Sequence, residues 1–327
     1  MTKTSPITGV VAIGRNEGER LKRCLRSVVG EDVPAVYVDS GSSDDSVAFA
    51  DKIGVPVVDL DISIPFTAAR ARNAGYAKLV SLHPKLDFVQ FVDGDCEVVE
   101  GWLAEAAATL QDDEKLGVVT GWRSEIKPDE TVYNAICHDE WRAPAGPIEA
   151  CGGDMMVRRA ACDQIGGFND TVIAAEDDEF CIRIGAAGWK LLRLPREMTK
   201  HDAAIYRFGQ WWKRAVRAGH GFAQVGDMHN SYFAAPRRRV LFYAVVLPLF
   251  SIVGLLVWWP LVTVAALIYL ASFAKTTMSL IRAGKTVGPA MHHALFMVLS
   301  KFPNLIGFIK YYQRKRRGSE MRIIEYK

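Results

Sequence analysis

The sequence predicts an α/β domain, a mixed but mainly parallel sheet with helices on both faces, followed by an apolar helical hairpin. Three observations carry this. Between residue 7 and about residue 200, short apolar runs alternate with segments of helical spacing. From Val240 to Ala274, 35 residues pass without a charged side chain. Aspartates stand at the ends of apolar runs, where open parallel sheets collect their ligands.

The elements follow in order. "TGVVAIG" (Thr8–Gly14) reads as a buried strand. "NEGERLKRCLRSVVG" has Leu21, Cys24, Leu25 and Val28 on one helical face and stops at Gly30. "AVYVD" is a second strand running into the Ser/Gly/Asp loop "SGSSDDS". "SVAFADKIG" is a short helix closed by Gly54, and "VPVVDL" a third strand. "FTAARARNAGYAKLVSL" is a helix, "FVQFVDGD" a fourth strand, and "GWLAEAAATLQ" the helix after it. Asp39 and Asp93 both fall at strand ends and are expected to meet in one cleft.

After Arg239 the composition changes. A straight helix over the uncharged run would be about 50 Å long at about 1.5 Å per residue, against a bilayer core of about 30 Å. "WWP" at Trp258–Pro260 places interfacial aromatics and a helix breaker mid-run. The expectation is a transmembrane hairpin, about 240–258 and 261–281. Its outer ends are basic, Arg237–Arg239 before and Lys275, Arg282 and Lys285 after, which places both in the cytoplasm. "PAMHHALFMVLSKFPNLIGFIKYYQRKRR" then reads as interfacial amphipathic helices with a basic tail. The expected division is a catalytic domain at 1–236, the hairpin at 237–285 and the interfacial helices at 286–327.

The net charge of +3 is too small to argue for nucleic acid, and the basic clusters beside apolar segments point to an anionic membrane leaflet instead. Six cysteines without a CxxC pair read as small buried residues in a reducing compartment. The N-terminus enters a strand directly, with no apolar leader, so the catalytic domain is expected to face the cytoplasm at the inner membrane.

In "VDGDC", Asp93 and Asp95 are two residues apart and face one side in extended backbone. Two like charges held close repel unless a cation lies between them; manganese or magnesium takes such oxygen ligands together with phosphates. Gly94 lets backbone approach a ligand. Arg70, Arg72 and Asn73 head a helix, where an arginine can reach a phosphate. "EACGGDMMVRR" joins a glycine pair to a strand. "AEDDEF" places four acids, Glu176–Glu179, in a first helical turn, a position the helix dipole favours.

In order, "VVAIGRNEGERLKRCLRSV", "VYVDSGSSDDS", "ARARNAGYA", "FVDGDCEV", "GGDMMVRRAACDQIGGFND", "AEDDEFCIRIGAAGW" and "KHD" resemble the family 2 glycosyltransferases of GT-A fold, over about residues 7 to 220. The resemblance implies inverting transfer of a sugar from a nucleotide donor with a divalent metal. It places Ile13, Arg15, Glu17 and Asp39 around the nucleobase and ribose and Arg72 on the nucleotide. Asp93 and Asp95 become the Asp-x-Asp pair, with Asp95 on the metal and Asp93 nearer the ribose. His201 becomes a further metal ligand and Asp177 the catalytic base. Gly152, Gly153 and Asp154, with Glu176, line the sugar and acceptor pocket. The sequence departs at "GRNE", where Arg15 stands in place of an aromatic. Gln210, Trp212 and Arg214 are placed against acceptor or diphosphate, or on a membrane-docking helix.

These readings combine into an inverting transferase moving a sugar, from a UDP-sugar with GDP or dTDP as alternatives, to a lipid-linked saccharide on polyprenyl diphosphate. That places it in exopolysaccharide, capsule or O-antigen assembly. The alternatives are a polyprenyl phosphate acceptor, a processive polysaccharide synthase, and an inactive membrane-anchored nucleotide-sugar binding protein.

Overall fold

A computed structural model describes residues 7–30, 33–230 and 232–325. The chain divides into two compact units, Met1–Pro128 with Cys137–Ala204, and Asp129–Ile136 with Ile205–Lys327.

The first unit opens with β1 (Thr8–Gly14), α1 (Glu19–Val29), β2 (Ala35–Asp39), α2 (Ser46–Lys52), β3 (Val57–Asp59), α3 (Ala68–Leu82), β4 (Phe88–Asp93), β5 (Cys96–Val98) and α4 (Trp102–Asp112). It continues with β6 (Leu116–Glu125), the end of α5 (Val132–Trp141), β7 (Gly146–Ile148), β8 (Met155–Arg158), α6 (Arg159–Ile165), α7 (Glu176–Ala186) and β9 (Lys190–His201). The sheet order among the described residues is β3-β2-β1-β4-β8-β6-β9-β5, with β7 on β9. The strands β3, β2, β1 and β4 run parallel, and β8 is antiparallel to both its neighbours. Alternate residues of β1 enter opposite cores, as the pleat requires. Val10 and Ala12 meet Leu21, Cys24 and Leu25 of α1 and Trp102 of α4. Val11 and Ile13 meet Leu79 of α3 and Phe180 of α7. The apolar stripe read for α1 is the buried one. All six cysteines are buried and free.

The register sets Gly14 beside Asp39 and Ile13 beside Asp93, so β1, β2 and β4 end at one rim. Across the sheet, β6 pairs parallel with β9 and sets Glu125 beside His201. The pairing is irregular where Trp122 follows Thr120: its partner moves from Arg193 to Glu197, and Pro195 sits in the extra length. A proline fits a strand at such a bulge.

In the second unit, α8 (Phe208–Met228) packs on α13 (Lys301–Arg317) with backbone against backbone. A Cβ on Gly307 would lie 2.1 Å from the Val216 carbonyl, and one on Gly219 would lie 2.1 Å from that of Asn304. Between them come α9 (Ala234–Leu241), a π-helical turn (Phe242–Val246), α10 (Leu247–Val257), α11 (Pro260–Arg282) and α12 (Val287–Leu299). The π turn, in which the Leu247 N–H bonds the Phe242 carbonyl, ends at Pro248, whose missing N–H leaves the Tyr243 carbonyl without its i+5 donor. The Tyr269 hydroxyl of α11 donates to that carbonyl instead. Ala234–Val257 and Pro260–Arg282, 24 and 23 residues, are each long and apolar enough to cross a membrane. The first starts at Ala234, so Arg237–Arg239 lie within the helix. Tyr133 at the start of α5 belongs with this unit and stacks on Trp211.

Candidate active site

The loops at the rim are stitched before any ligand arrives. Asn16, in left-handed backbone at φ 53°, accepts the Ser43 N–H at 2.7 Å and donates its own N–H to the Ser42 hydroxyl. Asp39 is buried and accepts three bonds: Tyr37 O–H at 2.8 Å, Gly41 N–H at 2.9 Å and Ser42 N–H at 2.7 Å. A carboxylate has about four acceptor positions, so one remains for a ligand. Arg15 is exposed, and its guanidinium lies 4.7 Å from the centre of the Phe66 ring. An aromatic therefore borders position 15 in space although the chain has none there. Glu17 pairs with Arg20 at 2.7 Å, and Ile13 is buried with its carbonyl bonded to Gly94. Gly94 is needed here, because a Cβ would stand 2.9 Å from the Ile13 carbonyl oxygen.

The centre is a network of charges. Arg72, 2% exposed, bridges Asp93 at 2.7 Å and Glu176 at 2.8 Å. Arg123 of β6 reaches Asp154 at 3.0 Å and lies 3.8 Å from Asp93. Asp154 also accepts from the Thr199 hydroxyl and the Asp93 N–H. Burial works to raise the Asp93 carboxyl, but Arg72 and Arg123 outweigh it and hold it below the usual carboxylate range. On the far side, His201 Nε2 lies 3.2 Å from Asp95 Oδ1, and its Nδ1 lies 3.9 Å from Glu125. Three carboxylates (Asp93, Asp154 and Glu176) thus share two guanidiniums, while Asp95 and Glu125 face the His201 imidazole.

That excess of negative charge suits a cation. Ligand atoms of Asp95, Cys96 and His201 lie within 4.8 Å of one another. Cys96 is the soft donor of the three, a ligand type that suits zinc or copper better than a hard oxygen-seeking ion. Asp95 and His201 remain as an oxygen and a nitrogen donor, a set that fits manganese or magnesium.

Asp177 is the second residue of α7, whose N-cap Ala175 holds left-handed backbone at φ 57°. A helix N-terminus favours ionised acids. Here burial, then Glu176 and Asp178, push the Asp177 carboxyl up to about 8 against the pull of Arg72.

Arg72 was expected on the nucleotide; in the structure its two terminal nitrogens donate to Glu176 and Asp93. Arg70 holds the loop before α3 by donating to the carbonyls of Asp61, Ile64 and Pro65. Asp154 was expected to line the pocket, yet its side chain has no exposed surface and serves as an internal acceptor. Of the glycine pair, Gly152 is open, 3.4 and 3.8 Å from Arg123 and Asp177 at the Cβ position, whereas Gly153 makes room for Arg72. Gln210 caps α8 with its side-chain oxygen, and Arg214 lies on α8 in the second unit. Arg123 and Glu125 were not foreseen; the only signal was polar residues ending the apolar run "LGVVT".

Comparison with known proteins settles the class. The family model "Glycosyl transferase family 2" matches residues 10–165, and "Glycosyl transferase family 21" matches residues 144–323, over half the chain. The chain belongs to the family 2 glycosyltransferases. This glycosyltransferase is 24% identical over 238 residues to glycosyltransferase AglE of Haloferax volcanii, 69% of this chain and 76% of that protein. It is 26% identical over 241 residues to the pre-mycofactocin glycosyltransferase of Mycobacterium tuberculosis, 68% of this chain but only 48% of that one. Among solved structures, the mannosyltransferase PcManGT of Pyrobaculum calidifontis covers 96% of this chain and 89% of its own, at 17% identity and TM-score 0.58. S. aureus TarS 1-349 covers 97% and 93%, at 14% identity and TM-score 0.52. Those likenesses show the GT-A fold.

Proposed function

We propose that this glycosyltransferase moves a sugar, with inversion, from a nucleoside diphosphate sugar to a lipid-linked saccharide at a membrane. The geometry carries the mechanism: Asp177 borders the open Gly152 position at 3.8 Å, with burial and acidic neighbours pushing its carboxyl up to about 8, while Asp95 and His201 approach to 3.2 Å as an oxygen and a nitrogen donor. Proton transfer and diphosphate binding are thereby divided between two places. Asp95 and His201 would hold a divalent ion, which when bound neutralises charge on the departing diphosphate. Arg72 and Arg123 keep Asp93 ionised beside it. Asp177 takes the proton of an acceptor hydroxyl, and the oxygen attacks the anomeric carbon opposite the leaving group in one displacement. Ile13, Arg15, Glu17 and Asp39 would border the base and ribose, and Gly152 the transferred sugar. Arg214 is proposed to meet acceptor or diphosphate.

The proposed donor is a UDP-sugar. Support for a nucleotide-sugar donor comes from relatives in fold: PcManGT was solved with GDP-Man and Mn2+, and TarS 1-349 with UDP. The two apolar helices and the basic residues at their ends support a membrane site with the catalytic part, 1–236, in the cytoplasm, the hairpin at 237–285 and interfacial helices at 286–327. Calorimetry of UDP and GDP with and without manganese, on wild type and Asp95→Asn, tests the donor site. Metal-dependent binding that the variant loses is the expected result; binding indifferent to both metal and variant refutes it.

A further inference from the structure

One aromatic beside the site has been given no task. Trp141 ends α5 and is only part-buried. Its ring lies 4.3 Å, centre to centre, from that of His201, and the Arg123 guanidinium sits over it at 5.5 Å. It therefore touches both a residue against Asp95 and one against Asp93 and Asp154. Its indole N–H has no hydrogen-bond partner among the described residues.

The segment that carries the ring is held firmly. The Trp122 indole donates to the Ala143 carbonyl at 2.9 Å, Arg142 donates to the Ser124 hydroxyl at 2.9 Å, and the Arg142 guanidinium lies over the Trp122 ring. β7 then pairs with β9. A core reading fails to account for this arrangement, because buried tryptophans bond their N–H and this one stays part-exposed and unbonded. A ring with a negative face, an open N–H and charged neighbours suits a sugar. Pyranose C–H groups carry slight positive charge toward the face, and a ring hydroxyl accepts from the indole.

Direction comes from Gly152. Its open Cβ position lies 3.4 Å from Arg123 and 3.8 Å from Asp177, so the guanidinium that lies over Trp141 borders the space before the proposed base. We infer that Trp141 is the platform for the acceptor's terminal pyranose, so that the acceptor is a glycoside and not a bare polyprenyl phosphate. A polyprenyl phosphate would offer no ring to stack and would bring charge to a site already rich in carboxylates. This rests on the donor and base assignment proposed above.

The test uses the full chain in a sugar-free detergent, with UDP or GDP and magnesium present. A panel of methyl pyranosides and short oligosaccharides is screened by saturation-transfer NMR. Wild type is expected to bind at least one of them through its ring C–H protons. Trp141→Ala should weaken that binding by about tenfold or more, as for a tryptophan anchor, and Trp141→Phe by less. Nucleotide affinity and melting temperature should stay within error in the phenylalanine variant. Equal pyranoside binding by wild type and Trp141→Ala overturns the inference. So does binding of farnesyl phosphate with no pyranoside bound. Failure of wild type to bind any nucleotide overturns the donor assignment itself and the inference with it.

Discussion

Replacing Asp177 by asparagine separates its electrostatics from its chemistry. The carboxyl titrates near 8 in the folded chain against an ordinary value of 3.8. At about 1.4 kcal/mol per decade, holding it ionised costs about 6 kcal/mol as a ceiling, since some of the side chain meets solvent. The sign is fixed by which state gives up the proton first. Below 3.8 both states are protonated and the group contributes nothing. Between 3.8 and about 8 the unfolded chain ionises and the folded one does not, so stability falls as pH rises through this window. Above it the full cost stands. Asp177→Asn removes that cost, so its melting temperature should match wild type near pH 4 and exceed it increasingly toward pH 8.5. In the same window, wild-type kcat/KM should climb about tenfold per pH unit and level off above about 8, because only the ionised base accepts a proton. The variant should lose a factor of about 10² to 10⁴ in turnover. Differential scanning fluorimetry and a product assay across pH 5 to 9 measure both. A melting difference that does not change with pH, together with a flat rate profile, refutes the reasoning.

Arg72→Leu strands Asp93 and Glu176 without their shared cation and should destabilise by about 3–5 kcal/mol in urea titrations. Arg72→Lys should recover only part, lacking the fork that reaches both. Gly153→Ala puts a Cβ 2.0 Å from an Arg72 nitrogen and should abolish metal-dependent nucleotide binding in calorimetry, whereas Gly152→Ala meets nothing closer than 3.4 Å and should keep it. Gly307→Ala forces α13 from α8 and should cost about 1–3 kcal/mol, read as a lowered melting temperature with donor affinity unchanged.

The parallel half of the sheet was legible because its strands are short apolar runs ended by Gly, Ser and Asp, and its helices carry one clean stripe. β6 and β9 were not read as strands. β6 ends in Trp122, Arg123, Ser124 and Glu125, polar or bulky because they face the site or its supports, so the strand signal fades where function begins. β9 hides behind Pro195, which a bulge accommodates only because β6 runs alongside. Trp141 carries no local pattern at all; its place depends on Trp122 and Ser124 holding the chain that follows it.

Arg72 shows most clearly what lies beyond a motif. Its residue type and position suggested a hand on the nucleotide, but the side chain turns inward because Gly153 leaves the space and two carboxylates wait there. Through it, Asp93 at the proposed donor station and Glu176 beside the proposed base share one cation. Charge placed at one end is therefore felt at the other. Drawing Asp93 toward a bound cation would loosen its hold on Arg72 and leave more of that positive charge to Glu176 and Asp177. That shift favours the ionised form of Asp177, so donor binding would prepare the base for the step it must perform. The signature is a rate profile in pH that moves to lower pH once donor and metal are saturating, and that stays put in Asp93→Asn.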